Sequence, residues 1–248
     1  MIHLNIYYLE ETKRIAIKTA WKELTYADYC KVLYNSSIQD DEARLRANIA
    51  TLSGEDIELI NRIPVPDLLP MVPFLGFIDT VTMPASNISI DVQIGVEPWG
   101  KLELAKQKLN HSSTYDIAMS MAEVVKVYTA KYNDSIEETG PGIDITNMPL
   151  PDAIVYARHF EKQFSDFFER FKELSEYKPT TEELMAGIDT LEVFGFMNTL
   201  DALAGGDILK HTEVLKQPTD YVFTKLLKDY RKAKFQEKHQ EILSKKKK

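Results

Sequence analysis

The chain has 248 residues, 44% of them apolar and 27% charged, with a formal net charge of −8; this is enough chain to bury a real core, as one large domain or two to three small ones, and the acidic balance disfavours nucleic-acid binding by the body. A single cysteine, Cys30, excludes an internal disulfide and a cysteine-built zinc site. The longest apolar run, Leu68 to Ile78, is interrupted by Pro70 and Pro73 and falls far short of the roughly 20 residues that span a bilayer, so no membrane role is predicted.

Ile2 to Ile17 alternates weakly and is rich in Ile and Tyr, which predicts a short hairpin with Glu10-Glu11-Thr12-Lys13 at the turn. No basic stretch followed by an apolar run opens the chain, so no signal peptide is expected. Thr25, with Asp28 three residues on, reads as the N-cap of a helix through Leu33. Leu45, Ile49 and Leu52 share one face of a helix over 40–52, and Ser53-Gly54-Glu55-Asp56 opens another through Ile60. The prolines between Pro64 and Ile78 permit only short helical pieces, because each removes a donor and crowds the preceding turn.

After a break at Met83 to Asn87, Ile88, Ile90, Val92 and Ile94 alternate with polar residues, the cleanest strand pattern in the chain. Pro98-Trp99-Gly100 leads into a helix to about Leu109, and Ile117, Met121, Val124, Val125 and Tyr128 mark another over 114–132. Residues 133–150, with Gly140-Pro141-Gly142, form a loop long enough to be functional or mobile. Pro151-Asp152 opens a long helix to about Glu176, and Thr180 to Glu183 caps a further helix that ends at Gly205-Gly206. The last helix starts at Pro218-Thr219 and runs into lysines. The expected fold is mainly α with a small β component, a hairpin plus one or two central strands, or α+β if strands pair extensively. It divides into segments 1–84, 85–177 and 178–248.

Catalytic signatures are missing at every position where chemistry needs them. The histidines, His3, His111, His159, His211 and His239, form no paired motif with a neighbouring Glu on one helix face. Asp40-Asp41-Glu42 reads as a first-turn acidic cluster that complements a helix dipole. Gly140-Pro141-Gly142 lacks the Lys-Ser/Thr of a phosphate loop, and Cys30 reads as a packed thiol. Phe160, Phe164, Phe167, Phe168 and Phe171 recur at helical spacing and read as core. The chain is therefore expected to be non-enzymatic, with no metal or cofactor; the enzymatic alternative is a dispersed site at His159, Asp152 and the loop around Gly140.

Charge is the strongest signal. Residues 221–248 hold ten Lys/Arg against three acids, a net +7, while the preceding 220 residues carry −15. Separated charge of this kind reads as a docking device. Val222, Leu226 and Tyr230, flanked by Phe223 and Leu227, should pack the first half of the last helix on the body. Its second half should project, with Phe235, Ile242 and Leu243 among basic residues. Lys234, Lys238, Lys245, Lys246, Lys247 and Lys248 are the candidate partner-binding residues, for an acidic protein first and a phosphate backbone second. The bland reading of this end is a solvated, frayed tail.

Several segments resemble a family of tailed-bacteriophage assembly proteins. Trp21-Lys22-Glu23-Leu24-Thr25-Tyr26-Ala27-Asp28-Tyr29 resembles their entry motif, and Leu52-Ser53-Gly54-Glu55, Leu68-Leu69 and Phe74-Leu75 resemble the helices that follow. Ile94 to Glu103 resembles a strand, an aromatic-Gly turn and a helix. Gly205-Gly206-Asp207-Ile208, Val214-Leu215, Pro218 and Val222 to Leu227 resemble the closing segment. The family's aromatic-Gly-Gln stands here as Trp99-Gly100-Lys101, and Trp99 and Lys101 join the lysines as candidate contact residues. The resemblance implies a non-enzymatic role in building a tail or head–tail junction, either as a transient chaperone or as a ring or connector component. Its partners would be other phage structural proteins and copies of itself, in the host cytoplasm during assembly or in the virion.

Overall fold

The computed structural model describes residues 1–8, 11–79, 85–109, 114–138, 140–175, 179 and 181–246. The fold is mainly α with a small β component: among these residues the one sheet is an antiparallel pair, β1 (Ile2–Tyr8) and β2 (Glu11–Ile17). The register runs from Ile2 opposite Ile17 to Tyr8 opposite Glu11. Glu11, Thr12 and Lys13, expected at the turn, therefore lie in the ladder, and Glu10 lies outside the described residues.

Two compact units share the chain. The first comprises Met1–Ile90, Lys108–Lys126 and Ile143–His159, and the second Asp91–Gln107, Val127–Gly142 and Phe160–Lys248. In the first unit, α1 (Tyr26–Asn35) starts at a capping box in which the Thr25 hydroxyl accepts from the Asp28 N–H and the Asp28 carboxylate accepts from the Thr25 N–H. The Lys18 ammonium also reaches Asp28. Burial alone would raise this carboxyl; the bonds from Lys18 and Thr25 outweigh it and hold the group below the usual carboxylate range. Asp40 caps α2 (Asp41–Ser53), which ends at Gly54 in the left-handed region (φ 73°), where a side chain would be strained. Asp56 caps α3 (Ile57–Arg62), and Arg46 donates to the Ile60 and Ile63 carbonyls at its end. The proline-spaced run follows as α4 (Val65–Leu68), α5 (Val72–Leu75) and 3-10 turns. Strand β2 packs on α2, and Ile15, Ile17, Trp21, Leu24, Cys30, Ile49 and Leu52 form the core with Leu150 and Ala153. The start of α8 (Leu150–Arg170) is tied in by the Leu150 N–H, which donates to the Leu24 carbonyl at 2.8 Å.

The strand expected over 88–94 does not form: residues 85–93 pair with no other strand. Ile88, Ile90 and Val92 are half-covered while Ser89, Asp91 and Gln93 are exposed. The alternation thus records sidedness alone, with the apolar residues partly covered and the polar ones exposed, a pattern that does not by itself require a strand ladder.

The second unit holds α6 (Trp99–Lys108) and the end of α7 (Thr114–Thr129). Its later elements are the Phe160-onward half of α8, then α9 (Thr181–Met185), α10 (Phe196–Ala204), α11 (His211–Leu215) and α12 (Thr219–Lys246). Phe160, Phe164, Phe167 and Phe171 are buried, with Tyr128 stacked on Phe160 at 5.4 Å between ring centroids. Phe168 lies at the edge of the stripe and is exposed. The single helix expected over 180–204 is broken into α9, a 3-10 stretch (Ile188–Phe194) and α10, because Gly187 (φ 84°) and Gly195 (φ 50°) take left-handed conformations that end a helix.

Candidate interaction surface

Helix α12 is held at its base by the segment around Trp99. An α-helix leaves its first N–H groups without internal partners. Here the Thr219 N–H and hydroxyl both donate to the Glu97 carbonyl, at 2.9 and 2.8 Å, and the Asp220 N–H donates to the Gly95 carbonyl at 2.8 Å. In return the Trp99 N–H donates to the Gln217 carbonyl at 2.8 Å. Gly95 lies so close that a Cβ there would come within 2.4 Å of the Asp220 carboxylate. Asp220 in turn pairs with Arg170 at 2.9 Å.

Trp99 and Lys101, expected as contact residues, instead face inward and serve this joint. Both are buried. The Trp99 indole N–H donates to Glu103 at 2.9 Å, and Lys106 completes that carboxylate at 2.8 Å. The Lys101 ammonium donates to Glu97 at 2.7 Å and to the Tyr128 carbonyl at 3.2 Å. A side chain whose polar atoms are all turned inward has nothing to offer a partner. The Tyr128 hydroxyl nearby is buried without a hydrogen-bond partner among the described residues, and burial, with Glu97 and Glu103 adding to it, drives its pKa upward.

Above the joint, α12 packs through Val222 and through Phe223, which meets Phe167 at 4.8 Å and Phe171 at 5.4 Å. Arg231 donates to Glu173 at 3.1 Å, and this charged bond holds the Glu173 carboxyl below its usual range. From residue 231 to residue 245 every side chain is exposed while the backbone stays helical. The predicted division of this helix is therefore what the structure has. Lys234 lies over the Tyr230 ring, Phe235 stacks on His239 at 5.8 Å, and Lys245 pairs with Glu241. Lys238 is exposed on the same stretch, Lys246 closes the helix backbone, and Lys247 and Lys248 lie outside the described residues.

A second surface went unseen in the sequence. Among the described side chains of residues 181–199 none is buried, although the stretch is rich in Leu, Met, Val and Phe. Met185, Val193 and Leu209 are 81%, 85% and 87% exposed, and Leu184, Leu191, Phe194 and Ile208 are exposed too. Exposed apolar side chains gathered in one segment make it a candidate interaction surface. The legible signal was the pair Gly187 and Gly195, which breaks a helix that would otherwise have sorted these residues onto one face.

The remaining features are weaker. In the first unit Lys31, Tyr34, Asn35, Ala47, Ala50, Thr51 and Ile57 line an apolar hollow of about 330 Å³. Of the residues named for the dispersed catalytic alternative, Asp152 accepts from the Ser86 hydroxyl at 2.6 Å. His111 lies outside the described residues. Among the described residues no group of three or more His, Cys, Asp or Glu side chains is placed to hold a metal ion, and no helix is long and apolar enough to cross a membrane. Comparison with family models, with curated proteins and with solved structures gives no match.

Proposed function

We propose that the protein is a non-enzymatic assembly protein of a tailed bacteriophage, acting by protein–protein contact in building the tail or the head–tail junction. The observation that carries the reading is the pairing, on one unit, of an apolar segment with no cover of its own and a helical arm that concentrates positive charge. Such surfaces are made to be covered by protein, and the motif resemblance supplies the phage setting. The protein works in the host cytoplasm during assembly.

Two forms of this role differ in their observables. A ring or connector component presents complementary surfaces to identical neighbours and stays in the particle. A transient chaperone holds an apolar segment of another tail protein in a groove, and the hollow beside Tyr34 and Ile57 favours that form. Disrupting the gene in the phage genome and viewing the lysate by electron microscopy tests the common core. Unjoined heads or absent tails are expected, and normal infectious particles would refute the assignment. Quantitative mass spectrometry of wild-type particles then separates the two forms, by a fixed copy number or by absence. If His159→Ala or Asp152→Ala abolished function without loss of fold, the enzymatic alternative would replace both.

A further inference from the structure

We infer that the outer half of α12 from one copy docks on the 181–209 segment of a second copy, head to tail. The inference rests on the protein-contact reading of this unit and adds the identity of the partner. Three observations lead to it. First, both surfaces are open to solvent: residues 231–245 are exposed throughout, and so are Leu184, Met185, Leu191, Val193, Phe194, Ile208 and Leu209. Second, the charges are opposite. Residues 181–209 contain six acids and no Lys or Arg, while residues 231–248 contain eight basic residues and two acids. Third, the arm carries its own apolar face. Phe235, His239 and Ile242 fall at i, i+4 and i+7 on one side of the helix, with Leu243 adjoining, and Phe235, Ile242 and Leu243 are exposed.

Each surface therefore supplies what the other lacks, an apolar stripe with positive flanks against an apolar face on an acidic segment. Every copy carries both, so a second copy meets the requirement at stoichiometric concentration without any other partner. At 1.5 Å per residue the stretch 231–246 reaches roughly 24 Å, long enough to lie across several short helical pieces. Because donor and acceptor are different patches, the contact is heterologous and propagates into a closed ring or an open filament.

Sedimentation velocity on the full chain tests this. Wild type should associate with rising concentration, at least about tenfold more weakly at high salt than at low salt, since opposite charges across an exposed interface are screened. Lys234→Glu with Lys238→Glu alters only the arm, and Val193→Lys with Leu209→Lys alters only the acceptor; all four positions are exposed, so circular dichroism should show unchanged helix content. Each double variant alone should stay monomeric where wild type associates. Mixing them should give a one-to-one dimer, because one intact arm and one intact acceptor remain. A wild type that stays monomeric at low salt, a variant that associates as wild type does, or a mixture that forms no dimer would overturn the inference. If self-association failed while particle formation still required the gene, self-docking would fall and the assembly reading would stand. The converse pair of results would remove assembly and leave self-docking.

Discussion

Replacing Lys101 by alanine separates a structural lysine from a contact lysine. The side chain is 6% exposed and its partner Glu97 is 25% exposed, with 2.7 Å between ammonium and carboxylate. The ammonium also satisfies the Tyr128 carbonyl at 3.2 Å, one of the last carbonyls of α7, which has no partner within the helix. Truncation strands both acceptors at once. Breaking one side of a buried pair costs about 3–5 kcal/mol; Glu97 retains partial access to water, which lowers the expectation here to roughly 2–4 kcal/mol. In a unit of this size that corresponds to a fall in melting temperature of roughly 5–15 °C. Lys101→Met keeps the packed stem and should lose less. The assay is thermal and urea unfolding of Lys101→Ala, Glu97→Gln and the double variant, where a coupling of about 1–3 kcal/mol is expected between the two positions. If Lys101→Ala unfolded within about 0.5 kcal/mol of wild type, as surface substitutions do, and weakened partner binding, the buried-joint assignment would be wrong.

Cys30 is buried and its thiol is pushed up to about 12 by burial, so a thiol-selective reagent should leave it untouched in the native protein and label it fully in denaturant; rapid native labelling would contradict the placement. The depressed Asp28 carboxyl contributes stability that is present above its unfolded value and lost as pH falls through the folded one. Urea midpoints should therefore drop below about pH 4, and Asp28→Asn should flatten that drop while costing stability at neutral pH; an identical acid profile for the variant would remove Asp28 from the account. Gly95→Ala forces the Asp220 carboxylate away from its place beside Arg170 and should destabilise by about 1–3 kcal/mol. A neutral result in unfolding experiments would mean that this approach relaxes freely.

What the sequence disclosed followed from how local each signal was. Thr25 with Asp28 declared a helix start because capping is settled within four residues. The Phe160 to Phe168 stripe declared its face because the helix runs uninterrupted across it, and Phe171 follows directly at its end. The 88–94 alternation misled because it fixes sidedness, and a strand needs in addition a ladder with another strand, which the segment does not form among the described residues. The helix expected over 180–204 misled because Gly187 and Gly195, tolerable in a packed helix, end one that has little to pack against. For the candidate surface the exposed lysines of α12 were legible from charge alone. The inward turn of Trp99 and Lys101 was not, since it depends on Tyr128 and Gln217, which lie about 30 and 120 residues further along the chain.

The joint at Gly95 to Lys101 also explains how a charged end can serve as a specific arm. A disordered lysine tail would have to be ordered at every encounter, at about 1–2 kcal/mol per residue of backbone fixed. A stretch the length of 231–246 is marginal as an isolated helix, because nucleation is costly. Here it continues a helix already started at Thr219, with Val222 buried and Phe223 packed on Phe167 and Phe171, so only propagation remains. Glu241 ahead of Lys245 is the favourable order for an i, i+4 pair, and lysines at the end of the helix complement its dipole. Ordering is thus completed on folding, and a partner meets a formed surface. It follows that weakening the joint, at Gly95 or Lys101, should reduce arm-dependent association without altering any residue of the contact. If the proposed docking holds, the Trp99 motif would act on it by fixing the base of α12, a positioning role that is compatible with its burial.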